Sequence, residues 1–188
     1  GTRLVLLDGV EDPQNVGALA RVAEGAGVRG LILSQRRAPP LSPAVSRASA
    51  GAIEWLPVAR VPNLGRAIRD LKQGGFWVVA AAPSTGGSLF GLADRILSGN
   101  LVVVLGAEGK GIRPSVLELA DHRAAIPMRG QIASLNVSTA GAIILYDLLR
   151  RSEAGRSTRD PDPGPTGPDR VSPKGVRQKG RLEDEGSP

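Results

Sequence analysis

The sequence predicts an α/β fold, a parallel sheet with helices packed on both of its faces. Two observations carry that reading. The strand-like runs are short and continuously apolar, as in residues 4–7 (LVLL) and 101–105 (LVVVL), rather than alternating with polar residues. Continuous apolar character belongs to strands buried on both faces. Between these runs lie stretches whose apolar residues recur every three or four positions, so strands and helices alternate along the chain.

Taken in order, residues 3–7 form the first strand, ended by Asp8-Gly9. Residues 10–14 make a polar turn containing Pro13. Asn15 then opens and caps a helix to about Gly25, with Val16, Leu19, Ala20 and Ala23 on one side. With the cap there, Arg21 stays within two turns of the loop. Gly17 and Ala18 leave room for a close neighbour. Residues 30–33 are the second strand, and the loop that follows carries Arg36 and Arg37, which suit either a phosphate contact or a solvated turn.

Residues 43–51 read as a small-residue helix, and 53–61 as an edge strand or extended segment broken by Pro57. Asn63 caps a helix to Lys72 whose Leu64, Ala67, Ile68 and Leu71 are apolar. Residues 76–82 form a strand stopped by Pro83. Residues 101–105 are the most strand-like run, followed by the loop GAEGKG. Pro114 suits the first turn of a short helix over 113–119, and 124–126 are the last strand. Val137, Ala140, Ile144 and Leu148 then fall at helical spacing, with Ser134 and Asn136 at that helix's entrance. Beyond Arg151 the pattern stops. Residues 152–188 hold 6 of the 15 prolines and almost no apolar side chains, too little to offset the entropy of ordering. The division is therefore a domain over 1–152 and a disordered tail over 153–188, whose KGVRQKGR run is a solvated segment by default.

Composition narrows the function. The chain carries a formal charge of +6 with a pI near 10.7. Five of those six net charges fall in residues 1–154, so the excess belongs to the globular part and fits a polyanionic partner. Without cysteine there is no disulfide, thiolate catalysis or cysteine-bound zinc, which fits a reducing cytoplasm. No apolar run reaches membrane-spanning length and the start does not resemble a signal peptide. Beginning at Gly1, the chain reads as a fragment, a processed chain or an excised domain. No metal-ligand cluster is visible, and the single histidine, His122, reads as a surface residue ahead of the last strand.

Three stretches concentrate residues that packing alone does not require: 4–27 (LVLLDGVEDPQNVGALARVAEGAG), 101–112 (LVVVLGAEGKGI) and 126–146 (IPMRGQIASLNVSTAGAIILY). The glycine loop is not a Walker A motif, because Lys110 is followed by Gly111. Nor is it a dinucleotide fingerprint, since it spells G-x-x-G-x-G. What remains is a strand-end loop with a single carboxylate, Glu108, whose glycines allow a ligand near the backbone. In an open parallel sheet ligands bind at the carboxyl ends of strands. The loops after strands 4–7, 101–105 and 124–126 all open there, which brings Asn15, Glu108, Ser134 and Asn136 together.

Together, and in this order, the three stretches resemble the signature motifs of the SpoU/TrmH family of RNA ribose 2′-O-methyltransferases in the SPOUT superfamily. The resemblance covers about residues 3–152 and is greatest to the RlmB-like subgroup, which acts on a guanosine of 23S ribosomal RNA. It implies a deep trefoil knot in the C-terminal half, formed by the loops around Gly106 and Arg129, and a homodimer joined through the first and last helices. It also implies S-adenosylmethionine held mainly by backbone groups at Leu105, Gly106, Ile126, Met128 and Leu135. The matched catalytic positions are Asn15, Arg21, Glu108, Ser134 and Asn136. In the family the matching arginine is proposed to take the 2′-hydroxyl proton. Asn15 would orient Arg21 or the ribose, Glu108 would hold Arg21 or a loop donor, and Ser134 and Asn136 would fix the knotted loop. RlmB-like enzymes usually carry a small RNA-binding domain ahead of the catalytic one, and none precedes Gly1 in this sequence. Two alternatives stand beside methylation of ribosomal RNA: the same reaction on transfer RNA, and a non-catalytic RNA-binding module with a vestigial cofactor pocket.

Overall fold

The computed structural model describes residues 1–83 and 85–157. Seven strands make one wholly parallel sheet: β1 (Arg3–Asp8), β2 (Leu31–Ser34), β3 (Val58–Val61), β4 (Trp77–Ala81), β5 (Gly87–Ser88), β6 (Leu101–Gly106) and β7 (His122–Ala125). Their spatial order is β3-β2-β1-β6-β4-β7-β5. The helices are α1 (Pro13–Gly25), α2 (Pro43–Ala48), α3 (Leu64–Gln73), α4 (Asp94–Leu97), α5 (Pro114–Leu117) and α6 (Val137–Ser157).

Alternate residues of each strand enter opposite cores. Val5, Leu7, Val103 and Leu105 pack with Val16, Leu19 and Ala23 of α1, Val45 of α2 and Ile144, Leu145 and Leu148 of α6. Leu6, Val102 and Val104 face the other way, onto Leu64 and Ile68 of α3 and Val116 of α5. This two-sided burial is why the strands read as unbroken apolar runs. Each fully buried Leu or Val contributes about 1.5–3 kcal/mol. Gly17 does admit a neighbour: a Cβ there would meet Val45 O of α2 at 2.8 Å.

The central strands β1 and β6 run in full register, Arg3 beside Leu101 through Asp8 beside Gly106. Both therefore end at one level, and their following loops leave from the same edge of the sheet.

Several boundaries differ from the sequence reading. The cap of α1 is Asp12, not Asn15: its Oδ1 accepts the Gln14 N–H at 3.0 Å, and Pro13 occupies the first helical position. Proline is pre-organised for that position and its missing N–H costs nothing there, so the helix starts two residues early and Asn15 sits inside its first turn. The last strand begins at His122 rather than 124, because the 121–124 segment is registered against β4. Asp121 N bonds Val78 O at 2.9 Å, its carboxylate accepts Val78 N at 2.9 Å, and His122 lies opposite Val79. His122 is thus a strand residue, its ring 5.5 Å from that of Trp77 and its Nε2 buried without a hydrogen-bond partner among the described residues.

The 53–61 segment splits into a 3-10 turn, Ala52–Glu54, and the edge strand β3. The short β5 and α4 were not legible in the pattern. At the other end, α6 continues to Ser157, past the expected boundary at 152; the rest of the expected tail lies outside the described residues. No helix among the described residues is long and apolar enough to cross a membrane.

Candidate active site

At the carboxyl ends of β4, β6 and β7 a cavity of about 380 Å³ opens against α6. All five positions matched to cofactor binding line it: Leu105, Gly106, Ile126, Met128 and Leu135. So do Glu108 and Ser134 from the catalytic set. The two loops to which the resemblance assigns the knot, 106–112 and 126–136, therefore both contribute to one cavity wall.

The loop after β6 is shaped by Gly106. A Cβ there would collide with the backbone of Gly111 and Ile112, because the loop turns back on itself and Gly111 N donates to Ala107 O at 2.8 Å. Glycine is thus required here first for the loop's own backbone, and only then for a ligand's approach. The loop's far end is anchored by a contact the sequence reading did not anticipate. Arg113 donates from its backbone N to Asp8 Oδ2 at 2.9 Å and from Nε to Asp8 Oδ1 at 2.8 Å. The Asp8 side chain is wholly buried at the end of β1, so two charge-assisted bonds fasten the glycine loop to the neighbouring strand. The available signal was a lone carboxylate directly after an apolar strand.

Asn136 joins two of the other four catalytic positions, Asn15 and Glu108. Its Oδ1 accepts from Ser138 N at 2.8 Å and Ser138 Oγ at 2.6 Å, capping α6. Its Nδ2 donates to Asn15 Oδ1 at 3.0 Å and to Glu108 Oε2 at 3.4 Å. A cap uses only the amide oxygen, so the nitrogen is free to tie the first turn of α1 to the glycine loop. Glu108 accordingly holds a loop donor, not Arg21. Ser134 is exposed on the rim with no hydrogen bond among the described residues.

Arg21 is not drawn into this group. It lies six residues beyond Asn15, about 240° further round the helix at 100° per residue. It is exposed and holds no hydrogen bond or ion pair among the described residues. Lys110 of the glycine loop also lines the cavity, and Ala81, Ala124, Val137, Ala140 and Ile144 from two strands and α6 make an apolar part of its wall. Sequence pattern marked Val137, Ala140 and Ile144 only as core.

The cavity's chemistry suits a ligand with an apolar body and a polar tail. Its volume lies in the range of small-molecule sites, which are mostly apolar with a few placed polar groups. Met128 and Leu135, both loop residues on the wall, have peptide groups that no hydrogen bond among the described residues engages. These half-buried peptide groups are open to a ligand held by backbone contacts. S-adenosylmethionine fits this description. Among the described residues no group of three or more His, Asp or Glu side chains could hold a metal ion.

A family model described as the SpoU rRNA methylase family matches residues 2–146. The 23S rRNA (guanosine-2′-O-)-methyltransferase RlmB of Vibrio vulnificus is 40% identical over 153 residues, covering 81% of this chain and 61% of that protein. The SpoU methyltransferase AviRb of Streptomyces viridochromogenes, solved with AdoMet, superposes with a TM-score of 0.74 at 28% identity, over 81% of this chain and 61% of that one. The TrmH/SpoU tRNA modifying enzyme of A. aeolicus gives a TM-score of 0.74 at 28% identity, over 82% and 77% of the two chains. The chain thus spans about three fifths of the length of the curated relative it matches, 61% for that RlmB.

Proposed function

The chain belongs to the SpoU rRNA methylase family, and from that premise we propose that it transfers a methyl group from S-adenosylmethionine to a ribose 2′-hydroxyl of RNA. The observation that carries the proposal is the Asn15–Asn136–Glu108 bridge at the rim of a largely apolar cavity ending β4, β6 and β7. Bound there, S-adenosylmethionine supplies a methyl group already activated by its sulfonium. What this chain must add is position, and somewhere for a proton and a developing negative charge to go.

Leu105, Gly106, Ile126, Met128 and Leu135 would hold the cofactor, the loop residues through their peptide groups. Asn136 fixes the relative position of the first and third motifs, and Glu108 keeps the amide of Asn136 oriented. Asn15 then faces the rim from the first turn of α1. Ser134, exposed beside the cavity, is available to the ribose or to the cofactor's polar end.

Arg21 is the free cation of the set. Taking a proton with it would first require a neutral guanidine, and a guanidinium keeps its proton at neutral pH and has no acceptor site. We therefore assign Arg21 to the RNA phosphate and to the developing alkoxide, with water as the proton acceptor. We also propose a homodimer through the α1–α6 seam. Tyr146 is half exposed at that seam, its Oη 3.1 Å from where a Cβ of Gly25 would lie, and a tyrosine so placed can be covered by a second copy. The wrap of 126–136 against 106–112 we take to be the trefoil knot of the family. A role on RNA would put the protein in the cytoplasm.

Ribosomal RNA is the favoured substrate, on the match to an rRNA methylase family model and the 40% identity to an enzyme of 23S rRNA. The test is transfer of labelled methyl from S-adenosylmethionine into separate pools of 23S rRNA and tRNA, with the product nucleoside identified by mass. A 2′-O-methylguanosine in the 23S pool alone supports the reading. Label only in tRNA reassigns the substrate, and cofactor binding without transfer to either pool leaves the chain an RNA-binding relic.

A further inference from the structure

A second cavity, also about 380 Å³, opens on the opposite face of the sheet, beside α3 and α5. Four arginines line it: Arg36 and Arg37 from the loop after β2, Arg69 from α3, and Arg113 from the end of the glycine loop. No acidic residue is among the described residues of its wall. Asp8 neutralises Arg113 from beneath. Arg36, Arg37 and Arg69 have no ion pair or hydrogen bond among the described residues. Like charges gathered round one hollow repel, and the repulsion is relieved when an anion occupies it.

The conformation of Arg69 sharpens the point. Its Nη1 lies 3.8 Å from where a Cβ on Gly65 would stand, so the guanidinium folds back over the first turn of its own helix. A cation at a helix N-terminus is on the unfavourable end of the dipole. The N–H groups of Leu64 and Gly65 in that turn have no acceptor among the described residues, the Asn63 side chain being spent on Arg66 N at 2.9 Å. An anion between Arg69 and those N–H groups satisfies both at once.

We propose that this cavity binds a phosphodiester of the RNA strand on which the first cavity acts; the inference rests on the proposed activity. RNA is favoured over a free small anion by placement. Gly111 lines the first cavity and Arg113 the second, and two residues of chain span at most about 7 Å. A strand laid over the carboxyl edge with one ribose at the first cavity meets the arginines with a neighbouring phosphate. Exposed arginines hold phosphate by bidentate bonds and release counterions on doing so. The contact therefore positions the strand without reading its sequence.

The test uses the full chain and its Arg36→Ala/Arg37→Ala and Arg69→Ala variants, with Arg66→Ala as control because Arg66 lies outside the cavity. Affinity for in vitro transcribed 23S rRNA is measured over a range of salt, alongside S-adenosylmethionine binding, inorganic phosphate binding and methyl transfer. The expected result is a loss of RNA affinity of about tenfold for the double variant. The slope of log affinity against log salt should fall by about 0.7–0.9 per arginine removed, and KM for RNA should rise at constant kcat. Cofactor affinity and the control should not change. Cavity variants with wild-type RNA affinity and salt slope overturn the proposal. So does a loss confined to inorganic phosphate, which would make the cavity a small-anion site. If wild-type protein transfers no methyl yet the variants lose RNA affinity, the phosphate site stands and the proposed activity falls.

Discussion

Asn136 Nδ2 and Asn15 Oδ1 meet at 3.0 Å across 121 positions of sequence. The bond matters because Asn136 is at the same time the cap of α6, so helix placement and motif placement depend on one side chain. Its two functions are separable by substitution.

Asn136→Asp keeps the capping oxygen and removes the donor, and it sets a second carboxylate within about 3.4 Å of Glu108 Oε2. Methyl transfer should fall at least tenfold while thermal stability drops by only about 1 kcal/mol. Asn136→Ala also loses the cap, adding about 1 kcal/mol of destabilisation. Thermal melts and initial rates on both variants check this; an Asp variant with undiminished turnover removes the bridge from the mechanism.

Arg21→Ala should abolish turnover and leave S-adenosylmethionine affinity unchanged. Stability should stay within about 0.5 kcal/mol of wild type, because the side chain is exposed and has no hydrogen bond or ion pair among the described residues to lose. Calorimetric titration with the cofactor, beside a methyl-transfer assay, separates the outcomes. Retained turnover ends the role given to Arg21.

Gly106→Ala should cost more than about 2 kcal/mol and weaken cofactor binding at least tenfold. The added methyl collides with the backbone of Gly111 and Ile112, and neither can yield without displacing the loop, a case of forced overpacking. Denaturant melts and cofactor titration on one preparation measure both. Wild-type values would mean that the loop shifts without consequence.

Arg151→Met tests the far end of α6. Arg151 donates to Asp147 Oδ2 at 2.8 Å, to the carbonyls of Leu92 at 2.9 Å and Phe90 at 2.8 Å, and pairs with Asp94 at 3.2 Å. Asp147 is 7% exposed at its side chain, though Arg150 also reaches it at 2.8 Å. Removing one of two partners from a buried carboxylate should cost about 2–3 kcal/mol, below the 3–5 typical of a sole partner. A melt shifted by less than 1 kcal/mol would show Arg150 to be sufficient alone.

Where pattern reading failed, the cause is local in one case and long-range in the others. Asn15 and Asp12 are both good caps by type, and the choice went to Asp12 through Pro13, whose ring fits the first helical position. The pattern puts His122 ahead of the last strand; its place inside β7 is decided by pairing with β4, a partner more than forty residues away. The second cavity had one sign in the sequence, the pair Arg36-Arg37, which a solvated turn explains equally well. Nothing local puts Arg69 and Arg113 beside it.

The sequence by itself determined the layered α/β architecture, since apolar runs and helical periods follow from which faces each element buries. It also determined, through its resemblance to a family, seven of the residues that line one cavity: Leu105, Gly106, Glu108, Ile126, Met128, Ser134 and Leu135. Only the tertiary structure decided that Asn136 joins Asn15 to Glu108, that Asp8 fastens the glycine loop through Arg113, and that Arg21 stands apart from them. The physical reason is range. Burial periodicity is written within ten or twenty residues, whereas a hydrogen bond of 3 Å between distant loops depends on strand order and register, which no local pattern encodes.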